Sequence, residues 1–111
     1  MARSTSRSST TTKRAIREPI HPGEFLSDEL GEIGISAAEL AQLLRAPANR
    51  VSQILVGKRA VSAYTALRLG RYFGTGPNLW LNLQKAYERD LAQQSIGREI
   101  DRIPTRAPAA E

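Results

Sequence analysis

From Pro19 to Gln94 the large apolar residues recur three and four positions apart and nowhere alternate with polar ones, a pattern that predicts helices and no strands. The first helix is predicted from about Pro22, a residue suited to a first helical position, to Ile33. Phe25, Leu26, Leu30 and Ile33 mark its apolar side, and Gly34 its terminator. Ser36 and Glu39 have the spacing of a capping box and start the second helix, which runs through Leu40, Leu43 and Leu44. The third opens near Pro47, carries Val51, Ile54 and Leu55 on one face, and stops at Gly57. Ser62 caps the fourth, whose apolar positions are Ala66, Leu67, Leu69 and Phe73 before Gly74. Pro77 opens the fifth, with Trp80, Leu81, Leu83, Tyr87 and Leu91 at helical spacing. No internal repeat is present.

The chain divides into three parts. Residues 1–18, rich in Ser, Thr, Arg and Lys with two large aliphatics, are expected to form a disordered basic arm. Residues 19–94 are expected to form the folded domain, and 95–111 either a C-terminal helix extension carrying Ile96, Ile100 and Ile103 or a flexible tail. A chain of 111 residues supports one domain with a single modest core. It has no cysteine, which excludes a disulfide framework and a thiolate zinc site. With no apolar run near the roughly 18 residues of a membrane span and no apolar signal segment, a soluble cytoplasmic protein is expected.

Charge changes this picture through its distribution. The net charge is +5, but the arm holds five basic residues (Arg3, Arg7, Lys13, Arg14, Arg17) against Glu18, so most of that excess lies outside the domain. Within residues 19–94, eight basic and seven acidic side chains are segregated. Pro19 to Leu44 carries only acids (Glu24, Asp28, Glu29, Glu32, Glu39), whereas Arg45 to Arg71 carries six cations and no acid. One half of the domain is built to face an anion.

The second and third helices are separated by so few residues that they must cross steeply as a helix-turn-helix, whose second member is free to enter a DNA major groove. With Val51, Ile54 and Leu55 turned to the core, a rotation of 100° per residue puts Asn49, Ser52, Gln53 and Val56 outside, with Arg50 at the edge. Asn and Gln pair bidentately with adenine, Arg with guanine, and Lys58 and Arg59 just past the helix are placed for backbone phosphate. A basic face alone selects nucleic acid weakly, since any small helical protein has one. The two-helix geometry is what turns it into a DNA-reading surface.

Other chemistry-bearing residues read as structural. Trp80, Leu83 and Tyr87 share a helical spacing and are expected in the core or a dimer surface rather than as a base-stacking platform. His21, the only histidine, precedes a proline at a helix start and is expected to make a local hydrogen bond. Glu24, Asp28, Glu29 and Glu32 lie at helical spacing with no partner His or Cys, so they form a solvated face. No enzyme, metal or cofactor is expected.

Five segments, "HPGEFLSDEL", "AELAQLL", "VSQILVGKRAVS", "ALRLGRYFGT" and "PNLWLNLQKAYE", together resemble the HigA-type antitoxins, members of the Xre group of phage-repressor-like helix-turn-helix proteins, over about residues 21–90. The resemblance implies an all-α, five-helix domain that binds double-stranded operator DNA as a two-fold homodimer; the surface expected to form the dimer is the fifth helix and its extension from Trp80 to Ile103. It implies an antitoxin that represses its own operon and neutralises a HigB-type ribonuclease toxin; the alternative is a stand-alone Xre-type regulator. Family base-contacting positions fall on Ala48, Asn49, Arg50 and Gln53. Phosphate-contacting candidates are Ser36, Arg45, Ser52, Lys58 and Arg59. Three residues depart from the family pattern. Arg45 stands where many relatives have glycine, which puts a left-handed turn there in question. Pro47 replaces a capping Ser or Thr. Ala37 replaces a Gln that touches DNA, leaving backbone N–H groups and Ser36 to act there.

Overall fold

The computed structural model describes residues 18–106. The basic arm up to residue 17 and the last five residues lie outside it. Five helices follow in order: α1 (Pro22–Ile33), α2 (Ala37–Leu44), α3 (Ala48–Leu55), α4 (Ala63–Phe73) and α5 (Pro77–Asp101), with no strand among the described residues.

The local start and stop signals act as expected. Ser36 Oγ accepts the Glu39 N–H at 3.1 Å while Glu39 Oε1 accepts the Ser36 N–H at 2.7 Å, so the capping box satisfies two N-terminal donors of α2. Ser62 caps α4 through the Thr65 N–H, and Gly34 and Gly74 end α1 and α4 in the left-handed conformation. Arg45 adopts that conformation as well, at φ 60° and ψ 42°, so the turn is left-handed there without glycine. The turn is closed locally by the Arg45 N–H on the Gln42 carbonyl at 3.1 Å and the Ala46 N–H on the Ala41 carbonyl at 2.9 Å, and is braced from α4. Arg68 on α4 reaches back and donates through Nη1 to the carbonyls of Leu44 at 2.9 Å and Arg45 at 3.4 Å, placing a cation on the negative end of α2.

Leu26, Leu30, Leu40, Leu44, Val51, Ile54, Val61, Ala66, Leu69 and Trp80 form one core. α2 packs chiefly on α3 and α4 on α5, while α1 lies against both α3 and α5. Trp80 is 1% exposed, with Phe25 and Phe73 ring centroids 5.5 and 5.6 Å away and its indole N–H donated to Thr75 Oγ1 at 3.1 Å. It is therefore core and unavailable to a dimer surface. Several positions assigned to apolar faces by spacing lie at their exposed edges instead: Ile33, Leu43, Leu67 and Leu91.

The last helix crosses residue 94 and continues to Asp101. Ile96 breaks its dihedrals (φ −127°, ψ 17°) immediately before Gly97, so the final turns are offset from the rest. Ile96, Ile100 and Ile103 are exposed among the described residues. The protruding helix gives the molecule extents of 51 × 34 × 24 Å.

Candidate nucleic-acid interface

The site is α3 and the loop that follows it. Pro47 sits at the N-cap with φ −61° and ψ 141° and makes no side-chain cap bond, as its chemistry dictates; the helix starts directly at Ala48. Val51 and Ile54 are buried and Leu55 is half-buried, which turns Ala48, Asn49, Ser52 and Val56 fully outward. Arg50 and Gln53 lie half-buried at the margins of that outer face.

The side chains on this face are not equally free. Ser52 Oγ donates to the carbonyl of Asn49 at 3.2 Å, which leaves its oxygen as an acceptor and commits its proton. Arg50 Nε is shielded from solvent and has no hydrogen-bond partner among the described residues, which leaves the Nη atoms as the donors able to reach a ligand. Gln53 Oε1 accepts from Arg59 Nε at 2.9 Å. Ser36 and Arg45 stand at opposite ends of the eight-residue α2, roughly 12 Å apart along its axis. Ser36 Oγ is already engaged in the capping box, while Arg45 is exposed beside the turn.

Gly57, at φ 81°, ends α3 in a way only a residue without Cβ adopts cheaply. Its N–H donates to the Ile54 carbonyl at 3.0 Å and the Lys58 N–H to the Gln53 carbonyl at 2.8 Å, the two bonds of a Schellman motif. The chain is thereby folded back over the last turn of α3, bringing Lys58 and Arg59 beside it. The ion pairs among the described residues, Lys85–Glu88 and Arg89–Asp90, both lie on α5. Hence no described carboxylate neutralises Arg45, Arg50, Lys58 or Arg59.

Three supports of this loop come from α5 and the start of α1. Gln84 on α5 is buried; its Oε1 accepts the Val61 N–H at 2.8 Å and its Nε2 donates to Glu88 Oε2 at 3.0 Å. Gly23 lies so close to the Ile54 carbonyl that any Cβ there would collide with it, which lets α1 seat directly on the C-terminal turn of α3. His21 makes the expected local bond, Nδ1 accepting the Gly23 N–H at 2.9 Å as the cap of α1. Its ring also lies next to Gly57 and edge-on to Tyr87 at 4.8 Å, so it braces the recognition loop from below.

Burial lowers the His21 pKa from its ordinary value near 6.5, against opposing pulls from the Arg59 backbone and the Glu24 carboxylate. The unfolded chain then binds a proton that the folded chain resists. The stabilising contribution is complete above about pH 6.5 and declines as pH falls through 6.5 toward the lower folded value. Urea midpoints are expected to drop between pH 7.5 and 5.5 for the wild-type chain. In His21→Asn, which retains a capping acceptor but does not titrate, that drop is expected to be smaller; equal drops would remove His21 from the effect.

Two packed helices joined by a three-residue turn, the second carrying an exposed polar face with unneutralised cations at its end, define a helix-turn-helix domain. No protein-family model matches the chain. Among solved structures it is similar to a HigA-family addiction-module antidote protein from Coxiella burnetii, at 48% identity and a TM-score of 0.78 over 82% of this chain and 100% of that one. It is also similar to the Pseudomonas aeruginosa antitoxin HigA with the higBA promoter, at 43% identity and a TM-score of 0.76 over 81% of this chain and 100% of that one. Virulence-associated protein I of Dichelobacter nodosus is 46% identical over 76 residues, 68% of this chain and 70% of that protein. The chain belongs to the HigA family of helix-turn-helix antitoxins.

Proposed function

We propose that the protein is the antitoxin of a type II toxin–antitoxin pair, which binds the operator of its own operon as a two-fold dimer and neutralises a HigB-type toxin in the cytoplasm, at the nucleoid. The observation that carries the DNA half is the exposed row Ala48, Asn49 and Ser52, flanked by Arg50 and Gln53, on a helix that ends in the unneutralised cations Lys58 and Arg59. Two such helices about 34–36 Å apart read the half-sites of a near-palindromic duplex. Leu91, Ile96 and Ile100 on the far part of α5, with Ile103 just past its end, supply exposed apolar surface for the dimer. Toxin neutralisation is supported by family membership alone.

In this role Lys58 grips and does not read. Lys58→Ala is expected to weaken operator and scrambled duplex in the same proportion and to reduce the slope of log affinity against log salt by about 0.9. A change in the operator-to-scrambled ratio would give Lys58 a base contact instead. Co-expression with the product of the adjacent gene tests the second half: rescue of growth and co-purification are expected, and a DNA-binding protein that rescues nothing is a stand-alone regulator.

A further inference from the structure

We infer that Arg59 is a positioning residue for Gln53 and sets which base Gln53 reads, an inference that rests on α3 being the DNA-reading helix. Arg59 Nε and Gln53 Oε1 are 2.9 Å apart, six residues apart in sequence, and are brought together by the Schellman loop at Gly57. Guanidinium nitrogens only donate, so the end of the carboxamide facing Arg59 must be its oxygen; the chemistry fixes the amide orientation. The NH2 end then lies on the side away from Arg59. Gln53 thus presents its NH2 group to DNA, while Oε1, with one of its two lone pairs engaged, is turned toward Arg59.

Donor and acceptor ends select different bases. A free glutamine pairs bidentately with adenine, accepting from N6 and donating to N7. With Oε1 turned toward Arg59 and one of its two lone pairs engaged, the adenine pair, which needs Oε1 and Nε2 side by side on one base edge, is disfavoured, whereas guanine, which presents N7 and O6 and no donor on its major-groove edge, is matched by the NH2 group alone. Bonding through Nε leaves the four N–H groups on the two Nη atoms of Arg59 free for a backbone phosphate. A phosphate–Arg59–Gln53–guanine chain follows, in which the grip on the backbone aligns the reader. Lys58, the neighbouring cation, makes no such bond among the described residues and carries phosphate contact alone.

The experiment is selection of bound sequences from a random duplex library by the full chain and by the variants Arg59→Ala, Gln53→Ala, Lys58→Ala and the double variant Gln53→Ala with Arg59→Ala, each checked for an unchanged melt by circular dichroism. The wild-type chain is expected to select a guanine in each half-site that Gln53→Ala no longer selects, with a preference over adenine of about tenfold. In Arg59→Ala that preference should vanish or invert toward adenine, in Lys58→Ala it should persist, and the double variant should match Gln53→Ala at that base. If Arg59→Ala still selects the same base as the wild-type chain, Arg59 is a phosphate contact only and the inference is overturned. If the wild-type chain selects adenine at the position lost in Gln53→Ala, the assigned amide orientation is wrong. If the wild-type chain selects no sequence at all, α3 does not read DNA, and the inference falls together with the function it rests on.

Discussion

Trp80→Ala is expected to cost about 3–5 kcal/mol of folding stability, as large-to-small changes at buried aromatics do. That is a large share of the roughly 5–15 kcal/mol available to a domain of this kind. Trp80 joins α1, α4 and α5, since Phe25 and Phe73 pack on its ring and Thr75 accepts its N–H from the turn between α4 and α5. The aromatic edge-to-face contact with Phe25 adds to plain area burial. Truncation removes all of these at once. Trp80→Phe keeps one aromatic ring but loses the fused pyrrole ring and its N–H, leaving a small cavity and the Thr75 hydroxyl with water as its alternative, so an intermediate loss of about 1–3 kcal/mol is expected. Urea unfolding followed by circular dichroism measures both, and in the wild-type chain the same residue, the only tryptophan, reports unfolding by its fluorescence. A loss below about 1 kcal/mol for Trp80→Ala would mean that the three helices hold together without it.

What was legible in the sequence is what is encoded locally. Ser36 with Glu39, Ser62, Pro22, Pro77 and the glycines at positions 34, 57 and 74 act within four or five residues of themselves, and the helices begin and end where these signals place them. Periodicity located each apolar face but not its width, because coverage at an edge depends on the helix packed against it. Leu67 shares a face by spacing with Ala66 and Leu69 and is nonetheless 58% exposed, whereas Gln84, a polar residue, is buried because a loop N–H needs its oxygen. Arg45 illustrates the same limit: propensity argues against a left-handed arginine, and Arg68, 23 residues away, supplies the compensation. The outward face of α3 was legible because helical rotation alone determines it once Val51 and Ile54 are inside. The bond from Arg59 to Gln53 was not, since it depends on the path of the chain after Gly57. Gly23 offered a faint signal, a glycine in a first turn where alanine would favour the helix more, and its cause is the carbonyl of Ile54.

Asn49→Ala is expected to weaken operator binding by about 1–3 kcal/mol and to leave scrambled duplex nearly unaffected, because only base contacts discriminate sequence. Asn49 is fully exposed on α3 and is not held by another side chain in the described hydrogen-bond network, so its carboxamide retains both the donor and the acceptor that an adenine edge requires. Arg50 differs from it. With Nε shielded and the residue half-buried, the Nη atoms are left to meet a guanine edge. Arg50→Lys keeps the charge and loses the two-pronged geometry, so non-specific binding and its salt dependence should survive while the operator-to-scrambled ratio drops by about tenfold or more. Arg50→Ala should lower the ratio as far and weaken scrambled duplex as well. The measurement is binding of each variant to operator and scrambled duplex at several salt concentrations, after thermal melts establish an intact fold. Should Arg50→Lys keep the wild-type ratio, Arg50 contacts phosphate rather than base; should Asn49→Ala and Arg50→Lys both keep it, the outward face of α3 grips DNA without reading it, and the proposed operator specificity resides in another part of the chain.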